Sequence, residues 1–171
     1  MNNQTAAFER PAKADMNRLI MNYLVVEGYK SAAEKFMQEC STEARMDLDL
    51  IDRRREIRLL IQDGRIVEAV EMINDINPEI LDTNDELYFN LKKQKLVELI
   101  ISKKTEEALE FAQAVISEKA IKKPEFLEQL EEVMTLLIFD DPKESPLRKL
   151  VDPSAKQDLA SQVNEAILCS Q

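Results

Sequence analysis

Glycine occurs twice in 171 residues, cysteine twice and histidine not at all. About twelve glycines would be usual at this length, so glycine-rich phosphate loops, tight β-hairpins and dinucleotide-binding fingerprints lack their raw material. Without imidazole there is no histidine-based catalytic triad, and two thiols cannot complete a four-ligand zinc site within one chain. Positive charge is also short: 33 acidic against 23 basic side chains leave a formal net charge of -10, which repels a phosphate backbone and argues against nucleic acid as a partner. No run approaches the ~18 apolar residues of a bilayer span, and Met1 to Arg10 has no apolar core of signal-peptide type. The expectation is an intracellular, soluble protein with no membrane association. Cys40 and Cys169 lie beside apolar neighbours and are expected to be buried and reduced.

With 44% hydrophobic and 33% charged residues, the composition is that of one globular domain or two small ones. Residues 1–14 show no period and predict a mobile tail. From Asp15, expected as an N-cap, Met16, Leu19, Ile20, Tyr23 and Leu24 form one helical stripe that Gly28 stops. Ser31 and Glu34 fit a capping box for a second helix with Ala32, Ala33, Phe36, Met37 and Cys40. This hairpin of roughly 25 residues is well below the ~40 that usually fold unaided, so its stripe needs an outside surface. Asp47, Asp49 and Asp52 open a third helix, with Ile57, Leu60 and Ile61 on its apolar side and Gly64 at its end. Arg65 to about Asp75 predicts a short fourth helix, interrupted before Leu81 by Pro78.

Thr83 and Glu86 fit a capping box for a long helix bearing Leu87, Tyr88, Phe89, Leu91, Leu96, Val97, Leu99, Ile100 and Ile101. At helical spacing those side chains point in all directions. Such a helix is a central element, covered by its own chain or by a partner, with own-chain burial the favoured reading. Leu109 to Ile116 and Phe126 to Leu137 predict two further helices, separated by the polar stretch Glu118 to Pro124. Phe139 to Pro153 reads as a structured loop because three prolines interrupt it, and Ser154 with Gln157 is expected to cap a last helix ending at Leu168. No segment alternates as a strand does. The predicted fold class is all-α, built from stacked helical hairpins.

Asp75, Asn77, Glu79 and Glu86 have calcium-loop spacing, but Ile80 stands where the sharp turn needs glycine. Asp47, Asp49 and Asp52 lack the same glycine, and Arg58 takes the place of the bidentate glutamate. The many acidic residues single out no catalytic pair, and a di-iron bundle needs histidines that are absent. Arg53, Arg54, Arg55 and Arg58 could form an import signal or an anion-docking patch; a solvated face paired with Asp49, Asp52 and Glu56 is favoured. Lys92, Lys93 and Lys95 lie at spread angles, and Lys103 and Lys104 suit a helix C-terminus. No catalytic, metal-binding or cofactor-binding residue is assigned.

Residues 16–36 resemble a LisH motif, with Leu19, Ile20, Tyr23, Leu24, Gly28, Tyr29, Ala32, Ala33 and Phe36 at its signature positions. Arg54 to Ala112 is similar to a CTLH domain, notably at Ile57, Gly64, Ala69, Pro78, Leu81, Leu87, Phe89, Leu91, Gln94, Leu99 and Ile100 and in the run 107–112. Residues 136–147 and 163–168 resemble the start of a CRA domain. The chain is thereby identified as a member of the LisH–CTLH–CRA family: tail 1–14, LisH dimerisation motif 15–47, CTLH domain 53–110 and partial CRA domain 111–171. In the family the CRA region continues through further apolar helices that return toward LisH, whereas this sequence stops at Gln171.

The resemblance implies a non-catalytic scaffold subunit of the GID/CTLH E3 ubiquitin ligase, cytoplasmic and nuclear, linking substrate-receptor and RING subunits for proteasome-dependent degradation. Implied partners carry LisH and CTLH domains and include RING subunits and a Ran-binding-protein-M-like subunit, with the chain in a homodimer or heterodimer. The implied LisH dimer interface is Met16, Leu19, Ile20, Tyr23, Leu24, Ala32, Ala33 and Phe36. The implied partner-binding face of the CTLH helix is Leu87, Tyr88, Leu91, Leu96, Leu99 and Ile100. A RING needs far more Cys/His zinc ligands than this chain has, so ubiquitin transfer falls to other chains. The alternative is a general α-helical protein-interaction module outside the ligase.

Overall fold

A computed structural model describes residues 13–40, 48–118 and 123–170, with the backbone alone for 48 and 116–118. Asp47, most of the expected tail, the end of the expected LisH segment and most of the polar stretch after residue 118 lie outside the described residues. Every regular element among the described residues is helical. The chain divides into two compact units, residues 1–55 and 56–171.

The first unit holds α1 (Lys13–Glu27), α2 (Lys30–Cys40) and the beginning of α3 (Leu48–Gln62). Asp15 lies in the first turn of α1 instead of capping it, paired with Arg18 at 3.2 Å. Gly28 ends α1 in the left-handed region, at φ +85°. There the Tyr29 amide reaches back to the Leu24 carbonyl (2.8 Å), and α2 restarts at once. Met21, Val25, Ala33 and Ile51 form the small buried core, with Leu24, Phe36 and Met37 half-covered around it.

In the second unit the remainder of α3 is followed by α4 (Ile66–Ile76), α5 (Glu79–Thr83), α6 (Asp85–Ile101), α7 (Thr105–Glu118), α8 (Pro124–Thr135) and α9 (Pro153–Cys169). Three short 3-10 turns, Leu136–Ile138, Pro142–Glu144 and Arg148–Val151, lead from α8 to α9. The centre is α6, which packs on α4, α5, α7, α8 and α9. Its first half sends Leu87 and Leu91 into a cluster with Ile57, Ile61, Ile73, Val163 and Ile167. Its second half sends Leu96, Val97 and Ile100 into another with Ala108, Ala112, Leu130, Val133 and Leu136. Phe89 stacks on Phe126 of α8, ring centroids 4.2 Å apart. Because α9 fills the first cluster, the expected CTLH and CRA segments share one core.

Local chemistry corrects several expected helix ends. Thr83 is the last residue of α5, a helix not foreseen, and its hydroxyl donates to the Glu79 carbonyl (2.7 Å). The N-cap of α6 is therefore Asn84, whose Oδ1 accepts from the Leu87 amide at 3.0 Å. At α9 the cap is Asp152 and not Ser154: its Oδ1 accepts from the Ser154 amide (2.8 Å), with Pro153 opening the helix. The Ser154 hydroxyl, and then its amide, hold the Asp152 carboxyl below its ordinary range. The Cys40 thiol is partly covered and that of Cys169 exposed. Cys169 lies off the Leu159, Val163 and Ile167 face that α9 buries.

Three helix ends use the same left-handed turn, and only two glycines exist to fill them. Gly28 and Gly64 (φ +78°) take the first two; Lys103 takes the third at φ 58°. At each, an amide reaches five residues back, Arg65 to Leu60 (2.8 Å) and Lys104 to Leu99 (3.0 Å) in the second unit. A Cβ on Gly64 would stand 2.5 Å from Glu98 Oε2. The Glu98 carboxylate cannot simply swing away, because its Oε1 accepts from Gln94 Nε2 (2.8 Å) and pairs with Lys156 Nζ of α9 (2.8 Å).

Gly64→Ala is expected to cost about 1 to 2 kcal/mol from the left-handed backbone alone, plus a further loss from displacing Glu98. Urea unfolding checks this, and a Glu98→Ala background should remove only the second part. Lys103→Gly should act in the opposite direction, raising stability by up to about 1 kcal/mol in the same assay.

Candidate interaction surfaces

In the first unit α1 turns one line of side chains inward and another outward. Met21 and Val25 are buried, whereas Met16 (47% exposed), Leu19 (65%), Ile20 (40%) and Tyr23 (58%) face solvent. Spacings of three and four residues place these four on one stripe. Val26 and Tyr29 are exposed beside it, and the Tyr23 and Tyr29 rings lie 6.4 Å apart. Of the other expected interface residues, Ala32 is exposed, Leu24 and Phe36 are half-buried, and Ala33 is fully buried. Ala33 is corrected to a core residue: it belongs to the cluster with Met21, Val25 and Ile51. Of the two alanines assigned to the interface, this one is already packed within its own unit.

What holds the hairpin against α3 is an arginine that the sequence reading assigns to a solvated face. Arg54 is 5% exposed, and its guanidinium donates to the Val25 carbonyl through Nη2 (2.6 Å) and to the Val26 carbonyl through Nη1 (3.2 Å). These carbonyls belong to the last turn of α1, where backbone donors run short: that of Val25 otherwise accepts only the long bond from the Gly28 amide (3.3 Å). The signal was present in the spacing, since Arg54 follows buried Ile51 by three residues and so shares its face. Asp49 and Asp52 likewise pair elsewhere, both with Lys30 at the start of α2, at 3.2 and 2.7 Å. The hydrogen bonds to Asp52 and then Asp49 raise the Lys30 pKa above its ordinary 10.5. This contribution to stability is complete below that value and lost as pH rises through the higher folded one.

The second unit covers most of the expected partner face of α6. Leu87, Leu91, Leu96 and Ile100 are at most 4% exposed and are corrected to core residues, since α4, α5, α7, α8 and α9 already surround the helix. Tyr88 and Leu99 alone of that set keep accessible surface. Between them lie cations that the sequence reading leaves without a role. Lys92 Nζ stands over the rings of Tyr88 (5.1 Å) and Phe111 (5.5 Å), and Lys95 Nζ over Phe111 (4.7 Å). Lys93 turns toward α8 and donates to Gln129 Oε1 at 2.7 Å, with burial pushing its pKa down.

Among the described residues no cluster of His, Cys, Asp or Glu is placed to hold a metal. Asn77 of the calcium-like run uses its Oδ1 to accept from the Glu79 amide (3.0 Å), and Glu79 opens a helix. A hollow of about 410 Å³ between α6 and α9, lined by Asn84, Glu86, Leu87, Gln162, Glu165, Ala166 and Cys169, lies along the surface. No described helix is long and apolar enough to cross a membrane. What the geometry offers is helix surface.

A helical hairpin with an exposed stripe, preceding a helical unit built around one central helix, is the arrangement of an interaction module. Residues 14–39 match the LisH family and residues 50–171 the family described as the CTLH/CRA C-terminal to LisH motif domain. The chain belongs to the LisH–CTLH/CRA family, in its glucose-induced degradation protein 8 branch. It is 49% identical over 160 residues to the glucose-induced degradation protein 8 homolog of Dictyostelium discoideum, covering 94% of this chain and 70% of the relative. Against the Protein GID8 homolog of Arabidopsis thaliana it is 50% identical over 159 residues, covering 93% and 65%. Against the GID complex subunit 8 of Schizosaccharomyces pombe it is 36% identical over 168 residues, covering 92% and 70%. The chain thus spans about two thirds of these relatives' length.

Arg54→Met should destabilise the first unit by roughly 2 to 4 kcal/mol, since two charge-assisted hydrogen bonds to the α1 carbonyls are lost. Hydrogen exchange of α1 and α2 amides in the full chain measures it, with faster exchange expected there and little change in α6.

Proposed function

We propose that this chain is a non-catalytic scaffold subunit of a GID/CTLH-type E3 ubiquitin ligase, holding LisH- and CTLH-bearing subunits together. Its partners would include RING subunits, a Ran-binding-protein-M-like subunit, and either a second copy or another LisH chain across α1. The observation that carries this reading is the α1 stripe. Four large apolar side chains, 40 to 65% exposed, stand on a hairpin whose buried core among the described residues is Met21, Val25 and Ala33 with Ile51 of α3. Fully burying one such side chain is worth about 1.5 to 3 kcal/mol. Covering the exposed half of four on each side of a pair would supply enough to hold two chains together after ordering costs. The name of the fission yeast relative, a subunit of the GID complex, supports the same assembly.

The chemistry agrees with a subunit that positions others. With no histidine and two cysteines, the chain lacks the ligands of a RING. Within the interface, Met16, Leu19, Ile20 and Tyr23 would be the central contacts, Leu24, Ala32 and Phe36 its border, and Val26 and Tyr29 additions to it.

Ile20→Asp should weaken self-association, because pairing would bury a carboxylate without a partner. Light scattering behind size exclusion, over a range of concentrations, is expected to show a lower mass than the parent. An associating parent whose mass Ile20→Asp leaves unchanged would exclude α1 as the contact.

A further inference from the structure

The second unit carries two outward helix stripes of one length and opposite charge. On α6, Tyr88, Lys92, Lys95 and Leu99 follow at four, three and four residues, all half-buried. On α8 and its 3-10 continuation, Leu127, Glu131, Met134 and Ile138 follow at the same steps. Each stripe is about 16 Å long at 1.5 Å per residue, and each has an apolar side chain at both ends. The first carries two ammonium groups between those ends. The second carries Glu131 there, with exposed Glu128 one turn earlier. Ile138 is 80% exposed, the most exposed large apolar side chain among the described residues, and Leu127 is 39% exposed.

The cations of the α6 stripe rest on aromatic rings and not on carboxylates. Lys92 and Lys95 sit over Tyr88 and Phe111 rings, and among the described residues none of Lys92, Lys95, Glu128 and Glu131 belongs to a salt bridge. In a chain of net charge -10, a cationic face whose lysines form no ion pair among the described residues favours an acidic partner. The α8 stripe has the matching sign, spacing and apolar ends.

We propose that these stripes pair between two copies of this chain, Tyr88–Leu99 of α6 in one copy lying along Leu127–Ile138 of α8 in the other. Tyr88, Leu99, Leu127 and Ile138 supply the apolar contact, and the lysines and glutamates set register and sign, since exposed ion pairs add little binding by themselves. The contact lies wholly in the second unit and does not depend on α1.

Charge reversal in the full chain tests it. Lys92→Glu with Lys95→Glu makes both stripes of a copy acidic; Glu128→Lys with Glu131→Lys makes both basic. Each double variant alone should lose this contact, and an equimolar mixture should regain it, because every acidic stripe then finds a basic one. Sedimentation velocity in an Ile20→Asp background isolates it from α1 pairing. There the otherwise unchanged chain and the mixture should both sediment as associated species, and each double variant alone as a monomer. The association should also weaken from about 0.1 M to about 1 M salt, as the screening length falls from ~10 to ~3 Å. A monomeric Ile20→Asp chain at high concentration overturns the proposal and leaves α1 pairing standing. Association indifferent to both charge reversals, or a mixture that stays monomeric, overturns it as well. Conversely, a parent that associates equally with Ile20→Asp and only loses mass on charge reversal rejects self-pairing through α1 and supports this contact.

Discussion

A helix with so many apolar side chains is stable in water only where other helices cover it, and α6 meets that constraint along most of its surface, the Tyr88–Leu99 stripe excepted. Leu87 and Leu91 enter one cluster, Leu96, Val97 and Ile100 another, and Phe89 stacks on Phe126 between α6 and α8. Each large side chain buried there is worth about 1.5 to 3 kcal/mol before ordering costs. The order of the surrounding helices follows, because α4, α5, α7, α8 and α9 each cover a different part of one axis. Even the turns serve it: the close approach of Gly64 to Glu98 lets the chain pass α6 without a side chain in the way.

The first unit has no comparable centre. Among the described residues four buried apolar side chains and a buried arginine hold three helical segments, and the guanidinium adds two donors to carbonyls at the end of α1. A unit so small cannot hide all the apolar surface of α1, and the stripe from Met16 to Tyr23 remains outside. Limited core and available interface are therefore one fact: the residues that would stabilise a larger unit are those left to meet another chain.

The all-α architecture was legible because helical periods, breaks at Gly28 and Gly64 and proline-bearing connections are local features of the sequence. The inward face of α1 was less so, since Met21 and Val25 are no more apolar than Ile20 and Leu19. Only the arrival of Ile51 and Ala33 decides which line goes in. Capping boxes misled at three helices: Ser31 already lies inside α2, Asp152 takes the place expected of Ser154, and the Thr83 hydroxyl is engaged by the preceding turn. Arg54 was misread through composition: among neighbouring arginines it looks solvated, yet it follows Ile51 by three residues and shares its buried face. The docking face expected on α6 failed for the opposite reason, since apolarity marks burial without saying which chain provides the cover.

The linker-like stretch before α9 has a practical consequence. Prolines at 142, 146 and 153 make it look like a place to cut. Yet α9 beyond it brings Leu159, Ala160, Val163 and Ile167 to the cluster around Leu87 and Leu91, and Lys156 to Glu98. A fragment ending in that stretch would expose the greasiest part of the molecule, and would be recovered as aggregate or degraded material. Expression boundaries, and any protease nick in the stretch, should be judged by whether α9 stays in place.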